Sequence, residues 1–344
     1  MAIWRFAAQL IELDCWYSWY LSTEPILRPG SIYILQPSSD VPFRARTLEE
    51  WSRTRPDFPN TMDKLVVAGS YSATPALQRG PDTIPILLTL LRLRFSEAEI
   101  MLGSPRPNEP QSRMLPWKIF EQDFRSNSLV ALTTDLATAA DRHGRNADMN
   151  SAISWHALCM ALAANLPLLE AAAGRAGPAA AARSPREIPA WASTPSARRS
   201  AIHAAHIFYI ILHRRFSEPI RHHSITALFH AALVLGFYIF AAPAWEGGEA
   251  YDLYEEVDWA ALKASGISDT PLDSRGAAVE FISGGGRFSL AHCAPAPGYT
   301  EARRCWLHFA SLMEGLGRWR SRVFSRVLHA MCDGQSDVEP DHGR

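Results

Sequence analysis

The sequence predicts an all-α protein, an irregular multi-helix bundle with long loops. Apolar residues recur at spacings of three and four along most of its apolar segments, which is the period of a helix that buries one face. The alternation of apolar and polar residues that is typical of a half-buried strand is not sustained anywhere in the sequence. No repeat of fixed length is present. Because each predicted helix needs a partner for its apolar face, we expect residues 1–344 to form one domain.

Helices are assigned where the helical period is sustained and a segment containing Pro or Gly marks the end. They are predicted at residues 2–21, 85–101, 115–140, 150–173, 196–216, 224–242 and 300–331, with a short helix around 257–265. Glu24-Pro25 ends the first helix, and Pro85 suits the first turn of the second. In the last helix, Gly315 and Gly317 are expected to produce a kink.

The segment 196–216 has the clearest amphipathic pattern. Ile202, Ala205 and Tyr209 lie on one helical face, and Pro219 follows the end of the pattern. The preceding residues, 174–197, are rich in Ala, Pro and Arg, which predicts a flexible surface loop. Residues 28–82 and most of 243–298 show no sustained period and are predicted to be irregular. We expect a disordered tail from about 333 to 344.

Charge and cysteine usage limit the function classes. The chain has 34 Lys and Arg against 35 Asp and Glu, a net charge of -1, whereas autonomous nucleic-acid binders usually carry a basic excess. The five cysteines are widely spaced, and no two have CxxC spacing. They are Cys15, Cys159, Cys293, Cys305 and Cys332. This pattern indicates neither a zinc cluster nor a disulfide framework, so we expect buried or free thiols in a reducing compartment.

Candidate catalytic and metal-binding motifs are weak. The glycine run 284–286 lacks the Lys-Ser/Thr of a phosphate-binding loop and is interpreted as a flexible turn. His203 and His206 can share one helix face, but Ala, Ile and Phe surround them and no carboxylate stands at helical spacing. We therefore interpret them as packing or capping residues. HExxH and GxSxG motifs are absent from the sequence, and no catalytic, cofactor-binding or metal-binding residue is predicted.

Acidic pairs give no stronger signal. Glu12 with Asp14, and Asp135 with Asp141, lack neighbours that suggest general acid–base chemistry. We expect them on solvated faces or near helix N-termini.

The densest basic cluster lies near the end of the chain. It comprises Arg318, Arg320, Arg322 and Arg326. On a helix, Arg318 and Arg322 share a face, as do Arg322 and Arg326. The sequence leaves two interpretations open, a surface that contacts phosphate or an acidic partner and a solvated helix face.

One segment raises the question of a membrane. Residues 225–243 contain no formal charge and are long enough to cross a hydrocarbon core of about 30 Å. A helix buried on all sides in a large helical domain is equally apolar all round. Both interpretations follow from the residues alone.

The residues 196–241, SARRSAIHAAHIFYIILHRRFSEPIRHHSITALFHAALVLGFYIFA, resemble the fungal-specific transcription factor domain of fungal C2H2-type and zinc-cluster regulators. In that family, an Arg- and Ala-rich helix leads through a Pro-containing turn to an apolar helix, here ALFHAALVL from residue 227. Gly236 stands where a larger residue, often Trp, is expected. The segments 6–29, 154–174 and 298–331 also fit the family pattern.

The resemblance implies an all-helical regulatory domain in the nucleus, of the kind often found in fungal secondary-metabolite gene clusters. It also implies that the apolar segment is an internal helix. Family members place zinc fingers or a six-cysteine cluster ahead of this region, and these residues contain neither. We therefore expect action through protein contacts with other transcription factors or regulatory proteins, as a homo- or heterodimer, with DNA association only indirect.

Two alternatives remain from the sequence. The first is a single-span membrane protein anchored by residues 225–243. The second is an all-α enzyme similar to a terpene synthase, which is the weaker alternative because no two adjacent Asp residues occur in the sequence.

Overall fold

The computed structural model describes residues 2–21, 23–28, 34–35, 45–54, 64–65, 84–102, 115–123, 126–142, 148–175, 177–181, 187–215, 217–245, 248–263, 267, 276–290 and 297–334. These residues are predominantly helical, so the all-α prediction is confirmed. The only strands among them are two pairs of two residues. Ile34–Leu35 (β1) pairs antiparallel with Lys64–Leu65 (β2), and Tyr251–Asp252 (β3) pairs parallel with Phe288–Ser289 (β4).

The helices are numbered in chain order. They are α1 Ala2–Leu21, α2 Leu48–Thr54, α3 Ile84–Leu102, α4 Pro116–Gln122, α5 Ser128–Arg142, α6 Met149–Ala163, α7 Leu166–Ala172, α8 Pro178–Ala181, α9 Ile188–Ala192, α10 Pro195–Leu212, α11 His222–Ala241, α12 Trp259–Leu262, α13 Ala277–Gly284, α14 Tyr299–Gly315 and α15 Trp319–Gly334.

Helix α11 is the centre of the core. It packs against α6, α10 and α14 along its length, and α7, α9, α1 and α15 also contact it. Every residue from His223 to Ile239 is buried. A helix enclosed on all sides must be apolar all round, which accounts for its uniform composition. Each fully buried Leu or Phe side chain stabilises the fold by roughly 1.5–3 kcal/mol, so this helix is a principal source of stability.

The same helix has the length and composition of a membrane span. Of its most apolar window, 89% is buried inside the protein. Helices α6 and α7 pass the same test only when they are joined, and they meet at a bend of 81°. Neighbouring helices therefore cover the surface of α11 that lipid would contact in a span.

Three predicted helices are each divided in two. Residues 115–140 form α4 and α5, because Asp123 adopts an extended conformation and ends the first helix. Residues 150–173 form α6 and α7. There Ala164 is extended, Asn165 caps α7 by accepting a hydrogen bond from Leu168, and Pro167 occupies the first turn. The expected kink near Gly315 and Gly317 is a break between α14 and α15.

The prediction of a flexible surface loop over 174–197 is wrong for its second half. Helix α9 packs into the core, where Trp191 is 1% exposed and donates its indole N–H to Ala163 O at 3.0 Å. Helix α10 begins at Pro195, capped by the Thr194 hydroxyl. The Ala and Pro that suggested a loop instead suit short helices with Pro in the first turn.

The other irregular predictions have mixed outcomes. The short helix around 257–265 is α12, but 243–298 also contains α13 and the β3–β4 pair. Most of 28–82, and the predicted tail beyond Gly334, lie outside the described residues.

Candidate functional site

A cavity of about 320 Å³ lies where α1, the start of α11 and the start of α15 meet. We call it the basic cavity. Its lining includes Glu12, Leu13, Trp16, Tyr17, Ile220, Arg221, His222, His223, Ile225, Arg318 and Arg320. Three guanidinium groups and one carboxylate therefore share the lining with apolar side chains. Such a cavity favours an anion that carries an organic group.

Asn150 on α6 positions the entry of α11. Its side-chain oxygen accepts hydrogen bonds from the Arg221 backbone N–H and the Ser224 hydroxyl, each at 2.9 Å. Its amide donates to Pro219 O at 3.0 Å. These bonds hold both sides of the turn that precedes the helix, and so fix where Arg221 and His222 project. Sequence reasoning missed Asn150, because its partners are about 70 residues away and leave no local signal.

The first turn of α11 has no internal counter-charge. No acidic residue lies in that turn, and no side chain caps it. In the described part of the chain, the backbone N–H groups of His222, His223 and Ser224 have no hydrogen-bond acceptor. Unsatisfied N–H groups and the helix dipole give such an end a partial positive charge. The turn therefore adds to the field of the arginines.

The three arginines of the basic cavity differ in how they are held. Arg221, the residue before α11, pairs with Glu12 of α1 at 2.9 Å. Arg320 is 7% exposed and lies over the rings of Tyr17 and Tyr20, at 4.8 and 4.3 Å from their centroids. The Arg318 side chain is exposed and has no ion-pair partner among the described residues.

His223 is a packing residue of this site. It is buried and stacks on Trp16, with ring centroids 4.8 Å apart. Its Nδ1 lies 3.5 Å from a Glu12 carboxylate oxygen. Burial, helped by the charge of Arg221, lowers the pKa of His223 to about 4, so the ring is neutral near pH 7.

A second group of histidines lies between α6, α10 and α12. We call it the sealed cluster, defined as His156, Arg199, His203 and Trp259. His203 stacks on Trp259, with ring centroids 4.1 Å apart, which is a packing role of the kind predicted from the sequence. Arg199 is fully buried, and burial lowers its pKa to about 10. His206 lies at the edge of this cluster, where its ring faces Trp259 edge-on.

Hydrogen bonds fix the protonation of the sealed cluster. Arg199 donates to Lys263 O at 2.8 Å and through Nε to His203 Nε2 at 3.3 Å. Because His203 Nε2 accepts, its proton is on Nδ1, which then donates to His156 Nδ1 at 2.9 Å. Burial, together with the charge of Arg199, lowers the pKa of both histidines well below its usual value. Among the described residues, no group of three or more His, Cys, Asp or Glu has the geometry to hold a metal ion.

A buried acid–imidazole pair links α7 to α11. His230 donates to a Glu170 carboxylate oxygen at 2.7 Å, and Glu170 also pairs with Arg175. Burial disfavours the charge on Glu170, but its hydrogen bonds and its attraction to His230 and Arg175 outweigh this and lower its pKa. Since both residues of the pair are nearly inaccessible, its role is to join two helices.

The remaining sequence candidates are dispersed. Gly285 has φ 79° and begins a turn after α13, in which a Cβ would meet Trp245 at 2.4 Å. Asp14 accepts the backbone N–H groups of Ile26 and Leu27, while the Asp135 side chain is exposed. Four cysteines, Cys15, Cys159, Cys305 and Cys332, are buried free thiols. Cys293 and the Asp141 side chain lie outside the described residues.

Two further cavities, each of about 420 Å³, are less suited to an anion. In one, the buried Arg92 is already held bidentately by Glu99, at 3.1 and 3.3 Å, and lies over Trp19. The other is a groove between the C-terminal ends of α10 and α14, which is lined mostly by apolar residues and in which Arg214 supplies the one guanidinium of the lining. The basic cavity is therefore the stronger candidate for a functional site.

Comparison with known protein families, with curated proteins and with solved structures gave no match. The resemblance to the fungal-specific transcription factor domain thus stays a prediction that rests on the residues quoted above.

Proposed function

We propose that this chain is the helical regulatory domain of a fungal-type transcription regulator, which acts by binding partners. The observation that carries the proposal concerns α11. The segment with the family resemblance forms the central buried helix of an all-α fold, and its first turn opens onto the basic cavity.

The burial of α11 favours this proposal over the single-span alternative. A helix whose apolar window is 89% buried by its own protein has little surface left for lipid. A helix of the same composition at the centre of a bundle needs no other explanation. The family resemblance implies the same placement.

The basic surface supports action through contacts. Arg318, Arg322 and Arg326 are exposed along one face that continues from the basic cavity. The most compatible partners are acidic or otherwise anionic groups of other transcription factors or regulatory proteins. In this proposal the protein works in the nucleus, for example on a secondary-metabolite gene cluster, and reaches DNA through its partner.

A tethering assay tests the proposal. The full chain is fused to a heterologous DNA-binding domain in a fungal host, and transcription of a reporter with matching sites is measured. We expect the fusion to change transcription relative to the DNA-binding domain alone. The fusion with Gly236→Leu, which disrupts the core, is expected to lose the effect. The proposal would be contradicted if the wild-type fusion protein were stable and nuclear but left transcription of the reporter unchanged.

Alkaline carbonate extraction tests the membrane alternative. We expect the chain to appear in the supernatant, because the apolar surface of α11 is covered by other helices. Recovery in the membrane pellet would favour a span at 225–243 instead.

A further inference from the structure

We propose that the cavity beside Arg92 is a binding site for a small, uncharged and largely apolar organic molecule that carries a hydrogen-bond acceptor such as a ketone oxygen. We call it the Arg92 cavity. Its volume is about 420 Å³, and its lining includes Trp19, Arg92, Ser96, Phe120 and Ala164. The proposal goes beyond the proposed function and does not depend on it, because binding is measured on the purified chain.

The Arg92 cavity lies where small side chains meet a bend in the chain. Helices α6 and α7 meet at 81°, and Ala161 and Ala164 line the cavity beside this bend. Asn165 caps the start of α7 and so holds the bend. Phe120 packs against Phe95, with ring centroids 5.6 Å apart. The walls are therefore in place before a ligand arrives, which lowers the entropic cost of binding.

Two polar groups in the lining lack a hydrogen-bond partner. Ser96 is 7% exposed, and its hydroxyl makes no hydrogen bond within the described part of the chain. Arg92 is 2% exposed, and its Nε is buried without an acceptor. Buried polar groups are nearly always hydrogen-bonded, so exceptions that line a cavity indicate an absent partner. Because both groups can donate, that partner is an acceptor.

The charges of the lining disfavour an ionic ligand. Arg92 is held bidentately by Glu99, at 3.3 and 3.1 Å, so its positive charge is already matched. Glu24, the remaining charged residue among those that line the cavity, is exposed to solvent. A charged ligand would leave water without gaining a buried counter-charge, which costs free energy.

The rest of the lining is mainly apolar. It includes Ile100, Ile119 and Leu166 besides the rings of Trp19 and Phe120. Apolar and aromatic walls with a few polar groups are typical of small-ligand sites, and the volume falls within their range. The ligand class is therefore an apolar body with one acceptor.

Fluorescence titration of the full purified chain with prodan tests the proposal. Prodan is an uncharged naphthyl ketone. Its emission moves to shorter wavelength in an apolar environment and to longer wavelength when its carbonyl accepts a hydrogen bond. We expect it to bind one molecule per chain. Anilinonaphthalene sulfonate, which is anionic and of similar size, should displace it only at concentrations at least about tenfold higher. Absence of prodan binding, or displacement at equal concentration, would overturn the proposal.

Two substitutions by Trp locate the binding. Ile119→Trp is expected to weaken prodan binding at least about tenfold, because Ile119 lines the cavity and is half-buried, so a larger ring there fills part of the space. Leu212→Trp is the matched control, since Leu212 is exposed and lines the groove of equal volume between α10 and α14. It should leave affinity within about twofold. Equal losses, or a loss in the control alone, would overturn the proposal.

Ser96→Ala tests the hydrogen bond, and it decides the matter if Ile119→Trp lowers the melting temperature. Its own melting temperature should not fall, because the hydroxyl makes no hydrogen bond within the described part of the chain. We expect prodan to bind about fivefold more weakly through the loss of one neutral hydrogen bond, and the emission of the bound probe to move to shorter wavelength. Unchanged affinity and unchanged emission would overturn the proposal.

Discussion

The sealed cluster and the basic cavity both contain histidine, arginine and large aromatic residues. They differ in whether the hydrogen-bond donors have acceptors within the protein. In the sealed cluster, Arg199 donates to Lys263 O and His203, and His203 donates in turn to His156. In the basic cavity, the Arg318 side chain projects into solvent, and the N–H groups that open α11 have no acceptor in the described residues. Arginine therefore serves structure in the first region, whereas in the second region the guanidinium of Arg318 is open to solvent.

Two neighbouring histidines of the basic cavity differ in their exposure to solvent. His222 is exposed, whereas its neighbour His223 is buried against Trp16. The buried ring behaves like those of the sealed cluster, because protonation would place a charge in a site that excludes water.

Acidification is expected to produce the largest effect. The pKa of His223 is about 4 in the folded protein and about 6.5 when unfolded. The unfolded state therefore binds more protons between these values, so stability is complete above pH 6.5 and is lost as the pH falls towards 4. His223 alone accounts for about 3 kcal/mol over that range, and His156 and His203 act in the same direction. Urea unfolding at several pH values measures the effect.

Two substitutions identify the histidine responsible. His223→Gln should reduce the pH dependence of the unfolding free energy, while His222→Gln should leave it unchanged. The folded pKa of Glu170 is lowered. Its contribution to the free energy of unfolding is therefore lost only as the pH falls below its unfolded pKa of about 4.3. A free energy of unfolding that stays constant from pH 7 to 4.5 would contradict this prediction, because it would show that water reaches the buried imidazole rings.

The next largest effect is expected from Arg199→Met. This change leaves Lys263 O and His203 Nε2 without their donor, and we expect a loss on the order of 3 kcal/mol. Denaturant unfolding at pH 7 measures it. Arg318→Gln, at the basic cavity, should change stability by less than about 0.5 kcal/mol. If both variants unfolded at the same denaturant concentration, the distinction between sealed and open regions would fail.

A smaller loss of stability is expected from a substitution that tests the packing around Gly236. A Cβ at Gly236 on α11 would lie 1.9 Å from Trp306 Nε1, which donates to Ala232 O at 3.1 Å. Gly236→Ala should therefore cost about 2 kcal/mol by overpacking, visible as a lower melting temperature. Gly284→Ala is the matched control, because nothing lies within 4 Å of the added methyl. The control should be neutral or slightly stabilising, and equal melting temperatures for both variants would contradict the packing described here.

The sequence predicted the helices better than the places where they end. The stripe of Ile202, Ala205 and Tyr209 predicted α10, since helical periodicity is a local property. The divisions at Asp123 and Ala164 were missed, because helical spacing resumes beyond each break and conceals it. Residues 187–197 were misjudged for the opposite reason. Their Ala and Pro content resembles that of a linker, and only the burial of Trp191 reveals a core helix.

Composition and spacing by themselves determined the helical class, the position of α11 and the Arg-rich start of α15. These depend on neighbours within a few residues along the chain. Only the tertiary structure decided that Trp306 fills the space beside Gly236, where the family resemblance expects a large residue on α11 itself. It alone brought Asn150 to the entry of α11 and placed Arg221 beside Arg318 and Arg320 around one cavity. Such contacts span 70 residues or more, and they follow from how helices pack, which no local pattern encodes.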